Sequence, residues 1–231
     1  VFIVNEDLIS VFKPRYLNVF PEHIKVDITL QDTSGLPKRK RPWGTGHALL
    51  SLKKLVHNNF ALINADDFYG RDAFKLMHDA LYADTNKQNY FIGYPLKNTL
   101  SDFGAVSRGV CILNKNQDLK HIVEHTNISK ENLSMPLDTI VSMNFWGFTP
   151  EVFNIADALF ATFLTEHKNS QTAEFFIPQI VDFMINEYDS VFKMLETSAK
   201  WFGVTYKEDE AKVKEQLQEL ISLGIYPKTL W

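Results

Sequence analysis

Cysteine is almost missing from this chain: Cys111 is the only one in 231 residues. One thiol can build neither an intramolecular disulfide nor a cysteine-rich zinc cluster. On an apolar strand it reads as a small core residue of a reducing compartment. Long hydrophobic runs are lacking as well, since no stretch approaches the roughly 20 apolar residues that cross a bilayer. No signal-peptide pattern opens the chain, so the expectation is a cytoplasmic protein with no membrane partner. A strong charge of either sign is also absent. The net charge is -4 and the pI about 6.0, which argues against a nucleic-acid partner. Any phosphate ligand is then held by local amides and a metal rather than by a global field. Internal repeats, low-complexity stretches and recognisable linkers are missing too.

What is present is ordinary globular material, 45% hydrophobic and 23% charged, enough for a sizeable core. Apolar patterning predicts a strand at 1–4 and a helix at 6–12 that Pro14 stops. A strand at 24–30, a helix at 47–56, a strand at 60–64 and a helix at 72–82 follow. The basic run Lys38 to Arg41 reads as a solvated loop. Strands are expected at 89–96 and 105–113, with Asn114-Lys115-Asn116-Gln117 turning the chain into a partner arm at 119–125. After a strand at 142–148, Thr149, Pro150 and Glu151 read as N-cap, first-turn proline and acidic first turn of a helix reaching about residue 166. Its phenylalanine stripe is core. A helix at 174–185, a strand at 191–195, a strand or loop at 201–206 and a helix at 210–223 complete the pattern. The alternation predicts an α/β fold, a single domain with a mixed, mostly parallel central sheet flanked by helices.

Two segments carry chemistry. In Arg41-Pro42-Trp43-Gly44-Thr45-Gly46-His47-Ala48 two glycines allow close backbone approach to a ligand, and Gly44 and Thr45 stand at a helix N-terminus whose amides can meet an anion or a base edge. One helix later, the strand at 60–64 runs into Asn64-Ala65-Asp66-Asp67-Phe68-Tyr69-Gly70, which ends on paired carboxylates suited to a hard metal. A third pattern, His121-Ile122-Val123-Glu124-His125, matches the His-x-x-Glu-His of certain zinc peptidases. That chemistry needs a helix, whereas in a hairpin arm the two imidazoles lie about 13 Å apart.

These segments resemble sugar-phosphate nucleotidyltransferases. Gly44-Thr45-Gly46-His47-Ala48 is similar to the Gly-Leu-Gly-His-Ala of bacterial UTP-glucose-1-phosphate uridylyltransferases. Residues 64–70 resemble the Gly-Asp-Asn segment of glucose-1-phosphate thymidylyltransferases. Phe103-Gly104-Ala105-Val106 resembles the family's Tyr-Gly-Val-Val, Ile122-Val123-Glu124 its Ile-Val-Glu-Lys, and Ser142 to Phe148 its Asn-x-Gly-x-Tyr strand. The resemblance runs from Val1 to about Tyr206. It implies a nucleotide-diphospho-sugar transferase fold, GT-A or Rossmann-like, spanning 1–231 and lacking its first βα unit, since the family's N-terminal Gly-x-Gly-Thr/Ser-Arg signature does not occur.

The implied reaction joins a nucleoside triphosphate, UTP or dTTP, to a sugar 1-phosphate, giving a nucleotide-sugar and pyrophosphate. A GT-A glycosyltransferase and a non-catalytic nucleotide-sugar binding domain are the alternatives, and a homo-oligomer stays open. By the same resemblance Gly44, Thr45, Gly46 and His47 bind the nucleotide, favouring uracil or thymine, with His47 either a base neighbour or a plain helix-start residue. Gly104, Glu124 and Asn144 face the sugar. His125 replaces the lysine that holds the sugar phosphate, leaving Lys168 and Lys200 as substitutes. Asp66 is the catalytic Mg²⁺ ligand, with Asp67 beside it. The family's second ligand lies in a Trp-x-Asp segment, where Trp201-Phe202-Gly203 here offers glycine. Either Asp209 serves, or one carboxylate and the phosphates hold the ion, or catalysis is impaired.

Overall fold

In the computed structural model, which describes residues 1–16, 19–83, 88–203, 207 and 209–229, the chain opens with β1 (Phe2–Val4), α1 (Glu6–Tyr16), β2 (Ile28–Leu30) and the short α2 (Thr45–Leu50). A β-α-β passage follows: β3 (Phe60–Leu62), α3 (Arg71–Ala83) and β4 (Asn89–Pro95). Next come β5 (Val106–Leu113), β6 (Leu119–Ile128) and β7 (Ile140–Phe148), and then α4 (Val152–His167), α5 (Ile177–Tyr188), β8 (Phe192–Glu196) and α6 (Asp209–Ser222). The α/β class and the mixed central sheet are as expected. The residues group into two compact units, Val1–Asn58 with Pro150–Met184, and Asn59–Thr149 with Ile185–Leu230. The expected strand or loop at 201–206 extends past residue 203 outside the described residues. Among the described residues no helix is long and apolar enough to cross a membrane.

In the first unit β1 and β2 pair in parallel, Phe2 opposite Ile28. Pro14 does not stop α1, which continues to Tyr16. An interior proline removes one helical hydrogen bond and costs roughly 3 kcal/mol. Here stacking on both sides of it holds the last turn, with the Phe12 ring 5.0 Å from Phe2 and 4.5 Å from Tyr16. Asn5 caps the other end, its Oδ1 accepting the Leu8 amide at 2.9 Å. The phenylalanine stripe of α4 is core: Phe160 and Phe163 meet the fully buried Trp43 edge-on at 5.8 and 6.3 Å. The basic run is less solvated than its composition suggests, because Arg39 lies over the Trp43 ring at 4.1 Å and Arg41 reaches Glu174 at 3.5 Å.

The second unit is built on a six-stranded sheet ordered β6-β5-β7-β4-β8, with β3 also on β7. Only β4 and β8 pair in parallel; β7 runs antiparallel to β3, β4 and β5, and β5 antiparallel to β6. The expectation of a mostly parallel sheet is corrected on this point. The β3-α3-β4 crossover does make two parallel strands, but β7 is inserted between them, Trp146 standing opposite both Leu62 and Phe91. A sequence pattern reads element order and not strand order, so the insertion was invisible. Thr149 does not cap α4 either: its amide donates to Asn89 Oδ1 at 3.1 Å, and Glu151 precedes the helix without a side-chain cap. The turn at 114–117 forms the β5–β6 hairpin, Asn114 Oδ1 accepting the amides of Asn116 and Asp118. Cys111 is buried in it, as expected.

β7 cannot be regular along its length. Its early residues pair with β5 and its last three with β3, and its register with β4 slips between Gly93–Ser142 and Phe91–Trp146. Asn144 sits in the slip with φ +59°, a left-handed conformation that asparagine tolerates and β-branched residues do not. Asn144→Val should therefore lower the unfolding free energy by about 1–2 kcal/mol, while Asn144→Gly stays near wild type. Urea denaturation of both variants checks this, and equal loss in both would assign the effect to the lost side chain instead.

Candidate functional site

Residues 63–70 leave β3 as an irregular loop that carries both carboxylates. Its anchor is Tyr69, buried among aromatic rings with Phe145 at 5.1 Å. The Tyr69 hydroxyl donates to Met143 O at 2.9 Å and accepts the Asn64 amide at 3.1 Å, while Tyr94 donates to Tyr69 O at 2.7 Å. Burial raises both phenol pKa values far above their ordinary range, so these hydroxyls act as fixed donors. Asp67 is drawn into the same network, Oδ2 accepting from Asn64 Nδ2 at 2.9 Å and lying 3.3 Å from the Tyr69 hydroxyl. Desolvation pushes its carboxyl pKa up, against the hydrogen bond from Asn64. Asp66 is exposed. Of the two, Asp67 is the carboxylate built into the fold and Asp66 the one open to an incoming ion.

Gly203 faces Asp67. A Cβ at 203 would stand 2.7 Å from Asp67 Oδ1 and 3.1 Å from the Trp201 ring, so the carboxylate occupies the room that a side chain there would need. Trp201 in turn supports Arg108, whose guanidinium lies 5.0 Å from the indole centroid. Arg108 is buried, and burial lowers its pKa to about 10 despite the opposing pull of Asp67 and Glu124. Glu124 stands on β6 opposite Gly109, exposed, close enough for its charge to reach Arg108. Arg108 was missed in the sequence, yet a signal existed. In Val106-Ser107-Arg108-Gly109-Val110 the period-two pattern of β5 puts Arg108 on the buried face with two valines, where a cation is out of place.

The other expected residues are placed as follows. Gly104 is half-buried in the loop before β5, and Asn144 is the half-buried kink of β7, its Oδ1 accepting from Trp146 Nε1 at 3.4 Å. Asp209 opens α6, buried, where its charge suits the helix N-terminus, and its Oδ1 accepts from Ser101 Oγ at 3.2 Å. Lys200 is exposed beside Trp201, whereas Lys168 follows α4 in the first unit. His121 and His125 lie along the extended β6, as a hairpin arm requires. Among the described residues no three His, Cys, Asp or Glu side chains gather into a metal-holding group.

The Gly44–His47 segment lies in the first unit, and internal packing accounts for its glycines. Gly44 has φ +95°, and a Cβ there would be 2.8 Å from the Phe175 amide nitrogen and closer still to its carbonyl oxygen. A Cβ on Gly46 would strike the Phe175 ring. Backbone bonds lock the two strands of chain together: Phe175 N–H to Trp43 O and Gly46 N–H to Phe175 O, both at 2.8 Å. The Gly46 amide is thus taken by the protein itself, whereas the amides expected for a ligand are those of Gly44 and Thr45. Gln31 Nε2 donates to Gly44 O at 3.2 Å and lies 3.0 Å from His47 Nδ1, which makes that nitrogen the acceptor and leaves the proton on Nε2. His47 is buried, 4.6 Å from the Phe160 ring, and burial lowers its pKa.

Comparison by sequence finds no matching family model and no matching curated protein. Comparison by structure finds several. The inositol-1-phosphate CTP transferase from T. maritima matches with a TM-score of 0.64 and 12% identity over 96% of this chain and 76% of its own. The UDP-glucose pyrophosphorylase from Acinetobacter baumanii gives 0.55 and 12%, over 97% and 72%. HddC from Yersinia pseudotuberculosis gives 0.54 and 17%, over 93% and 77%. At these identities the likeness is one of fold, and it falls among sugar-phosphate nucleotidyltransferases, the proteins whose motifs the sequence resembles.

Two outcomes follow from the first unit. Gly44→Ala should destabilise by at least about 2 kcal/mol, because it combines a glycine-only backbone conformation with a clash on Phe175. A urea midpoint shift of that order checks it. His47 is neutral in the fold with a pKa below its unfolded value of 6.5. The unfolded chain therefore takes up the proton first, so this contribution is complete above about pH 6.5 and is lost as pH falls through the lowered folded value. His47→Gln should flatten that part of the acid limb in a series of melts from pH 7.5 to 5, and an unchanged limb would place the titration elsewhere.

Proposed function

We propose that the protein joins a nucleoside triphosphate, UTP or dTTP, to a sugar 1-phosphate and releases pyrophosphate. The observation that carries this reading is that the motif residues Asp67 and Glu124 both lie within electrostatic reach of the buried Arg108, on a fold like that of the inositol-1-phosphate CTP transferase. The sugar phosphate already bears the attacking oxyanion, so alignment and charge stabilisation suffice and no general base is required. Glu124 takes hydrogen bonds from sugar hydroxyls. Gly104 and Asn144 line the sugar, and the base-reading role of Gly44, Thr45, Gly46 and His47 rests on their motif.

Mg²⁺ is the implied metal. It needs only one or two carboxylates because it keeps waters and shares phosphate oxygens. The exposed Asp66 beside the anchored Asp67 fits that minimal set, with Asp66 the catalytic ligand. Asp209 is the candidate second ligand; its carboxylate is buried and engaged with Ser101. Gly203 in the Trp-x-Asp position is also what a nucleotide-sugar binding protein without turnover would show, and that is the second reading.

Pyrophosphate release by full-length protein, given UTP or dTTP with glucose 1-phosphate and Mg²⁺, separates the two. Asp66→Asn should leave the melting temperature nearly unchanged and cut turnover by several orders of magnitude, and Asp209→Asn should follow it only if it is the second ligand. Glu124→Gln should raise KM for sugar phosphate far more than for the triphosphate. No pyrophosphate from the wild type leaves the binding reading, and full activity in Asp66→Asn moves the metal to Asp67.

A further inference from the structure

Burying a guanidinium carries an effective penalty of several kcal/mol unless its charge is matched. Arg108 is only 7% exposed. Its hydrogen bonds go to neutral oxygens: Nε donates to Thr99 Oγ1 at 3.1 Å, Nη1 to Ser107 O at 2.8 Å, and Nη2 to Thr99 O. Among the described residues no carboxylate forms an ion pair with it, and Asp67 and Glu124 act only through space. A guanidinium has five N–H donors, so donors remain. Among the described residues the fold has placed a buried cation here with the charges of Asp67 and Glu124 nearby but no carboxylate paired to it.

Arg108 also lines a cavity of about 160 Å³ bounded by residues 97–102, residues 200–203 and the first turns of α6. The walls are cationic. Lys130 and Lys212 both contact Asp102, so one carboxylate faces two ammonium groups. Lys200 adds an exposed ammonium, and Lys97 stands at the rim, paired outward with Asp138 at 2.5 Å. Against these five cations the lining offers only Asp102 and Asp209 as carboxylates, the second already accepting from Ser101. Trp201 Nε1 is buried and directed at the Asp67 carboxylate, which lowers the pKa of that carboxyl, so the indole contributes its face rather than a donor. A cationic cavity floored by a guanidinium without an ion-pair partner has room for an anionic acceptor.

We propose that this cavity binds a phosphate-type dianion, with Arg108 and Lys200 supplying charge-assisted hydrogen bonds and Lys130 and Lys212 the surrounding field. Planar, always-charged arginine suits tetrahedral oxyanions, and an ammonium on a flexible stem closes over them from outside. The same chemistry serves the phosphate of a phosphosugar and free inorganic phosphate. Assigning the phosphosugar rests on the reaction proposed above, and would supply the anchor that His125 does not. Anion binding itself is independent of that reaction.

Calorimetric titration of full-length protein with inorganic phosphate, with glucose 1-phosphate and with uncharged glucose, at fixed ionic strength, tests this. Both or either of the anions should bind and glucose should not. Lys200→Gln should weaken the anion at least tenfold, and Arg108→Met should abolish its binding. In phosphate-free buffer Arg108→Met should melt at or above the wild-type temperature, because it removes a buried charge that no ion pair offsets. An arginine kept only for packing would instead lower the melt and leave the anion affinity unchanged. Should Arg108→Met fail to fold, Lys200→Gln and Lys212→Gln decide. Failure of both anions to bind, or unchanged affinity across these variants, overturns the proposal. Tighter binding of glucose 1-phosphate than of phosphate identifies the phosphosugar as occupant, and equal binding identifies phosphate alone as sufficient. Anion binding without any pyrophosphate release removes the proposed reaction and leaves the pocket.

Discussion

The arrangement of the second unit depends on the double demand placed on β7. One of its edges serves β5 early and β3 late while the other serves β4 throughout, and no straight ladder meets all three. The left-handed Asn144 absorbs the mismatch. Because the ladder is broken there, Met143 O is turned away from strand pairing and accepts the Tyr69 hydroxyl, which fixes the loop that carries Asp66 and Asp67. A strand irregularity thus sets the position of the acidic loop, from which α3, β4, β5 and β6 separate it in sequence.

Much of this was legible in the residues. Helical and alternating periodicities located nearly every element, the asparagine-rich turn forecast the β5–β6 hairpin, and the hairpin reading disposed of the His-x-x-Glu-His pattern. What failed had physical causes outside local pattern. Pro14 lies in a turn whose flanking rings, Phe12 and Tyr16, pack on each other with Phe2 against Phe12, contacts that no propensity encodes. The antiparallel insertion of β7 is a matter of strand order. The glycines of Gly44-Thr45-Gly46 were read as room for a ligand, and the fold adds a neighbour far along the chain, the backbone of Phe175 against Gly44 and its ring against Gly46. Glycine reports that something comes close without reporting what.

The candidate site shows the same limit from the other side. Acidic positions were found through motifs, but the cationic half was not, because Arg108 sits in a strand whose neighbours look like ordinary core. Its meaning depends on Thr99, Trp201 and α6, which only the fold brings to it. Gly203, expected as a deficit, proves to be the space in which Asp67 lies.

The insertion of β7 also bears on how the chain comes off the ribosome. β3 and β4 are made first and flank a vacancy that only β7 fills, and β4 must further await β8 for its other edge. No early hairpin satisfies either strand, so β4, every residue of which is buried in the finished fold, spends the interval with both edges unpaired. At roughly 5–20 residues per second that interval lasts seconds, far longer than the microseconds in which hairpins close. During it the nascent chain exposes a sticky, template-like segment, and its yield in a cell is set by what shields β4 until β7 arrives.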